Sequence, residues 1–265
     1  FASGLLMWTG TRGAKRDLRV SDGFLLVAAT WLLTPVFGAL PLMLYLPELS
    51  FTDAYFEATS GLTTTGATVL TGLDALPVSI NLWRCFMHWI GGMGVIVLMV
   101  AVLPLLGIGG RQIFRAETPG PMKESSLTPR IAETAKGLWL VYVLLTVACT
   151  GALWQAGMDP WEALIHAFSI MGLGGFSTRD ASLGAFASLP IESVTVVFAL
   201  LSGINYATHY LALVHRTPRP YALDPELRWF FGVLAVTVVF LTVYLLESGA
   251  YQDGALAFRH VSFHA

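Results

Sequence analysis

The segments FTDAYFEATSGLTTTGA, residues 51–67, and DPWEALIHAFSIMGLGGF, residues 159–176, are two writings of one pattern. Each follows a long apolar stretch, carries a short helical run to a Ser, passes through a Gly-centred segment and leads into a second apolar stretch. Setting Gly66 on Gly175 also sets Ser60 on Ser169 and Ala54 on Ala163. A hydrocarbon core of about 30 Å takes roughly 20 helical residues to cross, whereas an apolar run of about 10 to 14 suits a re-entrant segment. Both half-helices belong to the short class, so each copy predicts a pore loop. Backbone that leaves helical form at membrane depth must be buried in protein or line a water-filled path, because lipid offers its N–H and C=O groups no partner. Thr and Gly at that depth predict such a path.

Outward from the two loops, composition sets the class. With 55% hydrophobic and 12% charged residues and a mean hydropathy of +0.67, the sequence predicts an all-α integral membrane protein and excludes a soluble domain. The expected spans are residues 24–46, 82–106, 137–156, 191–214 and 228–247, with residues 1–9 closing an earlier helix. No charged start with a cleavage site opens the sequence, so it is expected to begin inside a longer protein. Cys85 and Cys149 fall within expected spans and read as buried free thiols.

The charges divide between two faces. Arg12, Lys15, Arg16 and Arg19 fall in one connecting loop, Arg111, Arg115, Lys123, Arg130 and Lys136 in the next, and Arg216, Arg219 and Arg228 in a third. The segments holding the pore loops carry mainly acids (Glu48, Asp53, Glu57, Asp74, Asp159, Glu162, Asp180, Glu192), with Arg84, Arg179 and Arg259 as their cations. The positive-inside rule therefore predicts cytoplasmic basic loops and pore loops entering from outside. The net charge of −2 averages these faces and points to no nucleic-acid partner.

A selectivity filter replaces an ion's hydration shell with backbone carbonyls, which predicts an extended strand whose carbonyls converge on an axis. Thr63, Thr64, Thr65 and Gly66 suit that role in the first loop, and Gly172, Leu173, Gly174 and Gly175 in the second. Half-helices ending at these segments would turn the partly negative ends of their dipoles toward a cation, while Asp53, Asp159 and Glu162 complement the opposite ends. A Thr/Gly run between helices is more often an ordinary turn, but its recurrence in matching hairpins favours the pore loop. The GIGG run at 107–110 and GLGG at 172–175 follow no βαβ strand, so neither predicts a nucleotide site. WIGGMG, residues 89–94, reads as a helix-packing face. His88, His166, His209 and His260 show no ligand spacing. A membrane enzyme using His88, His166 or Glu57 as acid or base would require convergent polar groups, and a non-conducting structural or regulatory subunit would use the loops only for packing.

Four stretches, SGLTTTGA (60–67), WRCFMHWIGGMGVIV (83–97), SIMGLGGFST (169–178) and LSGINYATHY (201–210), together resemble the Trk/Ktr/HKT superfamily of cation transporters, and most closely its TrkH branch. The resemblance implies repeated helix–pore-loop–helix hairpins around a central ion pore, with four repeats in one subunit. Residues 1–23 would then be the end of a preceding helix and a cytoplasmic loop, 24–108 the first repeat, 109–136 a cytoplasmic loop, 137–214 the second repeat, 215–227 a further cytoplasmic loop and 228–265 an incomplete third repeat. It implies K⁺ uptake or symport across the cytoplasmic (inner) membrane by a multi-pass protein, with K⁺ at the eight residues named above, no cofactor and no catalytic residue. Gly66 in the first loop, where Ser is the alternative, is similar to the K⁺-preferring pattern; a Na⁺-preferring member is the alternative. Expected partners are membrane lipid, a second copy in a homodimer and a TrkA-like cytoplasmic nucleotide-binding regulatory subunit. A third half-helix begins near Asp253, and the spacing places a Gly six positions after Ser262, beyond Ala265. The predicted topology is checked by single-Cys labelling of intact cells: a Cys at Asp74 should react with an impermeant external thiol reagent and one at Ser125 should not, and the reverse would invert the topology.

Overall fold

The computed structural model describes residues 9–10, 20–102 and 127–264, which contain helices and no β-strand. Most of the helix tail expected over residues 1–9, most of the first basic loop, residues 103–106 of the second expected span and most of the second basic loop, with its GIGG run, lie outside the described residues. The first expected repeat comprises α1 (Val20–Tyr45), α2 (Phe51–Leu62) and α3 (Val78–Val102). The second comprises α4 (Leu127–Gln155), α5 (Pro160–Met171), α6 (Leu189–Gly203) and α7 (Tyr206–His215). A short α8 (Arg219–Leu223) leads to α9 (Pro225–Glu247) and α10 (Gly254–His264).

Local chemistry sets the start of each half-helix. Ser50 caps α2 by accepting from the Asp53 N–H at 3.1 Å, while its hydroxyl donates to the Asp53 carboxylate. Asp159 caps α5 by accepting from the Trp161 N–H at 3.0 Å, and Pro160 occupies the first turn, where its missing N–H leaves no helical bond unmade. Both half-helices are 12 residues long, about 18 Å at 1.5 Å per residue, too short to span.

Val27–Tyr45, Ala135–Gln155 and Pro225–Glu247 are long and apolar enough to cross a membrane. Only 6% of the apolar window in α9 is buried, and Trp229, Val236, Phe240 and Tyr244 stand exposed. A helix apolar on its exposed sides belongs in an apolar medium. Between the long helices the half-helices are held by small residues: Ala54 and Ala58 of α2 pack with Ala39, Leu42 and Met87. Ala163 and Ala167 of α5 pack with Tyr142, Cys149 and Leu153 of α4. Cys85 and Cys149 are buried free thiols, as expected.

The span expected over residues 191–214 is corrected by the structure. It is broken between Gly203 and Tyr206, and α6 and α7 meet at 90°. Ile204 is extended, and Asn205 caps α7 by accepting from the Ala207 N–H at 3.0 Å. The Leu201 carbonyl, released from the helical ladder, accepts from the Ile204 N–H and pairs with His209 Nε2 at 2.8 Å. The freed backbone is thus satisfied by protein, the condition under which a break inside a membrane is tolerated.

Gly92 of α3 lies where a Cβ would stand 2.9 Å from Gly172 Cα and 3.0 Å from the Tyr142 hydroxyl, whereas a Cβ at Gly94 meets nothing within 4 Å. Gly92→Leu should therefore lower the melting temperature of the purified full-length protein, by an overpacking penalty of about 1–3 kcal/mol. Gly94→Leu should leave it near wild type. Equal melting temperatures for the two variants would contradict this packing.

Candidate functional site

The two half-helices end in the same way, hydrogen bond for hydrogen bond. In the first loop the N–H groups of Thr63, Thr64 and Thr65 donate to the carbonyls of Thr59, Gly61 and Ser60 at 2.8, 3.2 and 2.9 Å. In the second, Gly172, Leu173 and Gly174 donate to Phe168, Ile170 and Ser169 at 3.2, 3.0 and 2.9 Å. Thr64 and Leu173 adopt left-handed φ values of 55° and 53°, followed two residues later by Gly66 at 77° and Gly175 at 93°. This is a Schellman termination with a Gly just beyond it. The segments expected to be extended strands therefore begin as helix caps. Their C=O groups turn out of the helix within three residues, and Gly is the residue that adopts positive φ without strain.

The two sequence-predicted segments approach one another at Gly66 and Gly174. A Cβ on Gly66 would collide with the Gly174 carbonyl oxygen and stand 3.6 Å from Gly175 Cα, while one on Gly175 would enter open space. Among the described residues none of the carbonyls of Thr63, Thr64, Thr65, Gly66, Gly172, Leu173, Gly174 and Gly175 accepts a hydrogen bond. Backbone carbonyls without a protein partner require water or a cation. The next carbonyls along the second loop are engaged: Phe176 C=O receives the Cys85 thiol and Ser177 C=O receives Arg84 Nη1. The Met171 carbonyl that precedes it accepts from the Ser202 hydroxyl of α6.

One face of α3 backs both loops. A Cβ on Gly91 would collide with the Leu62 carbonyl that ends α2, and Gly92 abuts Gly172 that ends α5. His88 stacks on Phe176 with ring centroids 4.1 Å apart, and its Nδ1 lies 3.2 Å from Ser169 Oγ. A side chain on Gly174 would strike the His88 ring. Positions 84, 85, 88, 91 and 92 recur at helical spacing, so WIGGMG packs the loops as its sequence suggests, and His88 supports one of them.

Sequence reasoning counted Arg84 among the charges of the mouth segments; the structure buries it. Arg84 and Glu57 are both fully buried, with Arg84 Nε 2.8 Å from Glu57 Oε1. Glu57 also accepts from the Thr68 hydroxyl and the Val69 N–H. An arginine inside WRCFMHW was the available signal, since an ionised side chain among apolar helices calls for a buried partner. The acid/base candidates bond to different partners: His88 faces Ser169, Glu57 faces Arg84, and His166 lies between the Glu162 carbonyl and Ser177 Oγ. No group of three His, Cys, Asp or Glu side chains suited to a metal occurs among the described residues.

Beside the N-terminal end of α5 a charged cluster ties the two loop exits together. Arg179 bridges Asp74 at 3.2 Å and Glu162, and the Asp180 carboxylate accepts from the N–H groups of Gly72 and Leu73. The Asp180 N–H donates to Asp74. That N–H first, and Arg179 second, hold the Asp74 carboxyl below the usual carboxylate range.

The sequence matches the family described as TrkH, cation transport protein, over residues 1–251. It is 48% identical over 263 residues to the Trk system potassium uptake protein TrkH of Escherichia coli K12, an alignment covering 99% of this chain and 54% of that protein. The TrkG protein of the same organism is 42% identical over 97% of this chain and 53% of its own length. Among solved structures, the potassium transporter TrkH from Vibrio parahaemolyticus superposes with a TM-score of 0.87 at 44% identity, covering 98% of this chain and 53% of that one. The chain thus spans about half the length of the relatives it matches.

The Asp74 cluster carries a pH signature. Because the folded carboxyl titrates below its unfolded value of 3.8, its contribution is complete above that value and is lost as pH falls through the lower, folded one. Hydrogen exchange of the 70–76 segment should be independent of pH, after correction for intrinsic rates, from 7 down to about 5, and protection should fall steeply only in stronger acid. Asp74→Asn should show reduced protection already at neutral pH; wild-type protection in that variant would contradict the assignment.

Proposed function

From the premise that this chain belongs to the TrkH family of cation transport proteins, we propose that it supplies two of the carbonyl-lined loops of a K⁺-uptake pathway. The observation that carries this reading is the meeting of Gly66 with Gly174 and Gly175 at the ends of two half-helices, with eight carbonyls that accept from no donor among the described residues. Those carbonyls, of Thr63 to Gly66 and Gly172 to Gly175, replace the hydration shell of K⁺. The C-terminal dipole ends of α2 and α5 favour positive charge at that point and disfavour anions. Acids at the mouth, Asp53, Asp159 and Glu162, raise the local cation concentration. No side chain performs covalent chemistry in this scheme, so catalysis in the enzymatic sense has no role.

The protein is a membrane protein, and the finer placement follows from the charge asymmetry: pore loops outward and basic loops toward the cytoplasm, in a cytoplasmic membrane. The complete protein encircles its ion with further loops, pairs with a second copy and is regulated from the cytoplasm by a TrkA-like nucleotide-binding subunit. These partners rest on the family relationship.

Gly175→Val in the full-length protein tests the reading. The open space at Gly175 admits a side chain, so the substitution acts through its φ of 93°, which β-branched residues avoid, and by intruding on the ion path. Rb⁺ uptake in cells lacking other K⁺ uptake should fall at least about tenfold, the change produced by roughly 1.4 kcal/mol. Uptake persisting at wild-type rate and with a wild-type K⁺/Na⁺ ratio would remove Gly175 from the pathway.

A further inference from the structure

We propose that the buried Glu57–Arg84 pair is a positioning device that fixes the distance between the first two carbonyl loops, and that it thereby sets K⁺/Na⁺ discrimination without touching the ion. This rests on the reading of the loops as ion-lining segments. Arg84 reaches elements from both repeats. Its Nε donates to Glu57 Oε1 at 2.8 Å and its Nη2 to Thr68 Oγ1 at 3.2 Å, both in the first repeat. Its Nη1 donates to the Ser177 carbonyl at 3.2 Å in the second, and to Asn81 Oδ1 on its own helix. The guanidinium also lies 4.4 Å from the centroid of the Phe176 ring.

Thr68 and Ser177 are the second residues after Gly66 and Gly175, so the pair grips both chains where they leave the carbonyl segments. The register that sets Gly66 on Gly175 also sets Glu57 on His166 and Thr68 on Ser177. In the second repeat His166 Nε2 lies 2.9 Å from Ser177 Oγ; in the first, Thr68 Oγ1 donates to Glu57 at 2.9 Å. Both repeats thus tie the half-helix to the hydroxyl eleven residues on. Only the first repeat adds a charge, and through Arg84 that charge reaches the neighbouring loop.

A buried ion pair is weak evidence of stabilisation, since well-packed apolar residues often replace one without loss. Contacts across the two loops are what a selectivity role requires. Whether discrimination comes from cavity size or from the field of the carbonyls, it depends on how far apart they are held. A planar guanidinium, with five donors in a fixed fork, can serve Glu57, Thr68, Asn81 and Ser177 together, and a lysine ammonium cannot.

The experiment compares Arg84→Lys and Thr68→Val with wild type in the full-length protein, reconstituted in liposomes at matched protein content, by Rb⁺ and Na⁺ flux. Lysine keeps the charge beside Glu57 and loses the reach to Ser177, so Rb⁺ flux should persist while the Rb⁺/Na⁺ ratio falls about threefold to tenfold, within the hundredfold that an ångström of misplacement can produce from a distance. Thr68→Val should shift the ratio in the same direction. Wild-type ratios in both variants would overturn the inference, and where Arg84→Lys does not fold, Thr68→Val decides alone. Gly175→Val, measured alongside, separates the two claims: if it abolishes flux while the other variants keep the wild-type ratio, the positioning role fails and the ion pathway stands. If Gly175→Val also conducts at the wild-type rate and ratio, Gly175 is removed from the pathway, and the reading of the second loop as ion-lining, on which the positioning role rests, fails with it.

Discussion

A backbone carbonyl released from a helix inside a membrane has no lipid partner, and the organisation of this chain follows from where such carbonyls are allowed to remain. Some released groups are satisfied at once: Ile204 N–H and His209 close the Leu201 carbonyl at the α6–α7 break, and Ser202 closes Met171 at the end of α5. Among the described residues the carbonyls of Thr63 to Gly66 and Gly172 to Gly175 accept no hydrogen bond, and the two segments meet at Gly66 and Gly174. Unsatisfied groups elsewhere in a buried setting cost about 1–3 kcal/mol each. On the proposed reading, here the cation offsets that cost.

Holding two such segments in register demands a rigid backing, and α3 supplies it for both. Its glycines admit the ends of α2 and α5 at backbone contact distance, His88 fills the space behind Gly174, and Arg84 reaches across to both exiting chains. The small residues of the half-helices, Ala54, Ala58, Ala163 and Ala167, are fully buried and allow the same close approach on their other sides. Stability and the proposed ion pathway thus draw on the same contacts, since a displacement of α3 would move both loops together.

The helical class and the two half-helices were legible because they are written in length and spacing: 12-residue half-helices cannot span, and one register matches Ser60, Gly66 and their counterparts. The break at Gly203–Asn205 was hidden because hydropathy runs apolar across it; the signal was Gly followed by an N-capping Asn, which an 18- to 20-residue average smooths away. Arg84 was read as part of the mouth charge because a one-dimensional tally assigns a charge to its segment. Its partner lies 27 positions earlier on another helix, and nothing local specifies that pairing. The capped, rather than extended, start of each loop was also unread, since it depends on left-handed Thr64 and Leu173, residue types that rarely adopt that conformation.

The central claim, that the apposed carbonyls hold the transported ion, is tested most directly by anomalous diffraction from crystals of the full-length protein grown in Rb⁺. An anomalous peak is expected on the axis between the Gly66 and Gly175 segments, weakened by competing K⁺ and unaffected by the same concentration of Na⁺. A density-free axis with Rb⁺ bound elsewhere, or an equal loss of the peak to Na⁺, would contradict it.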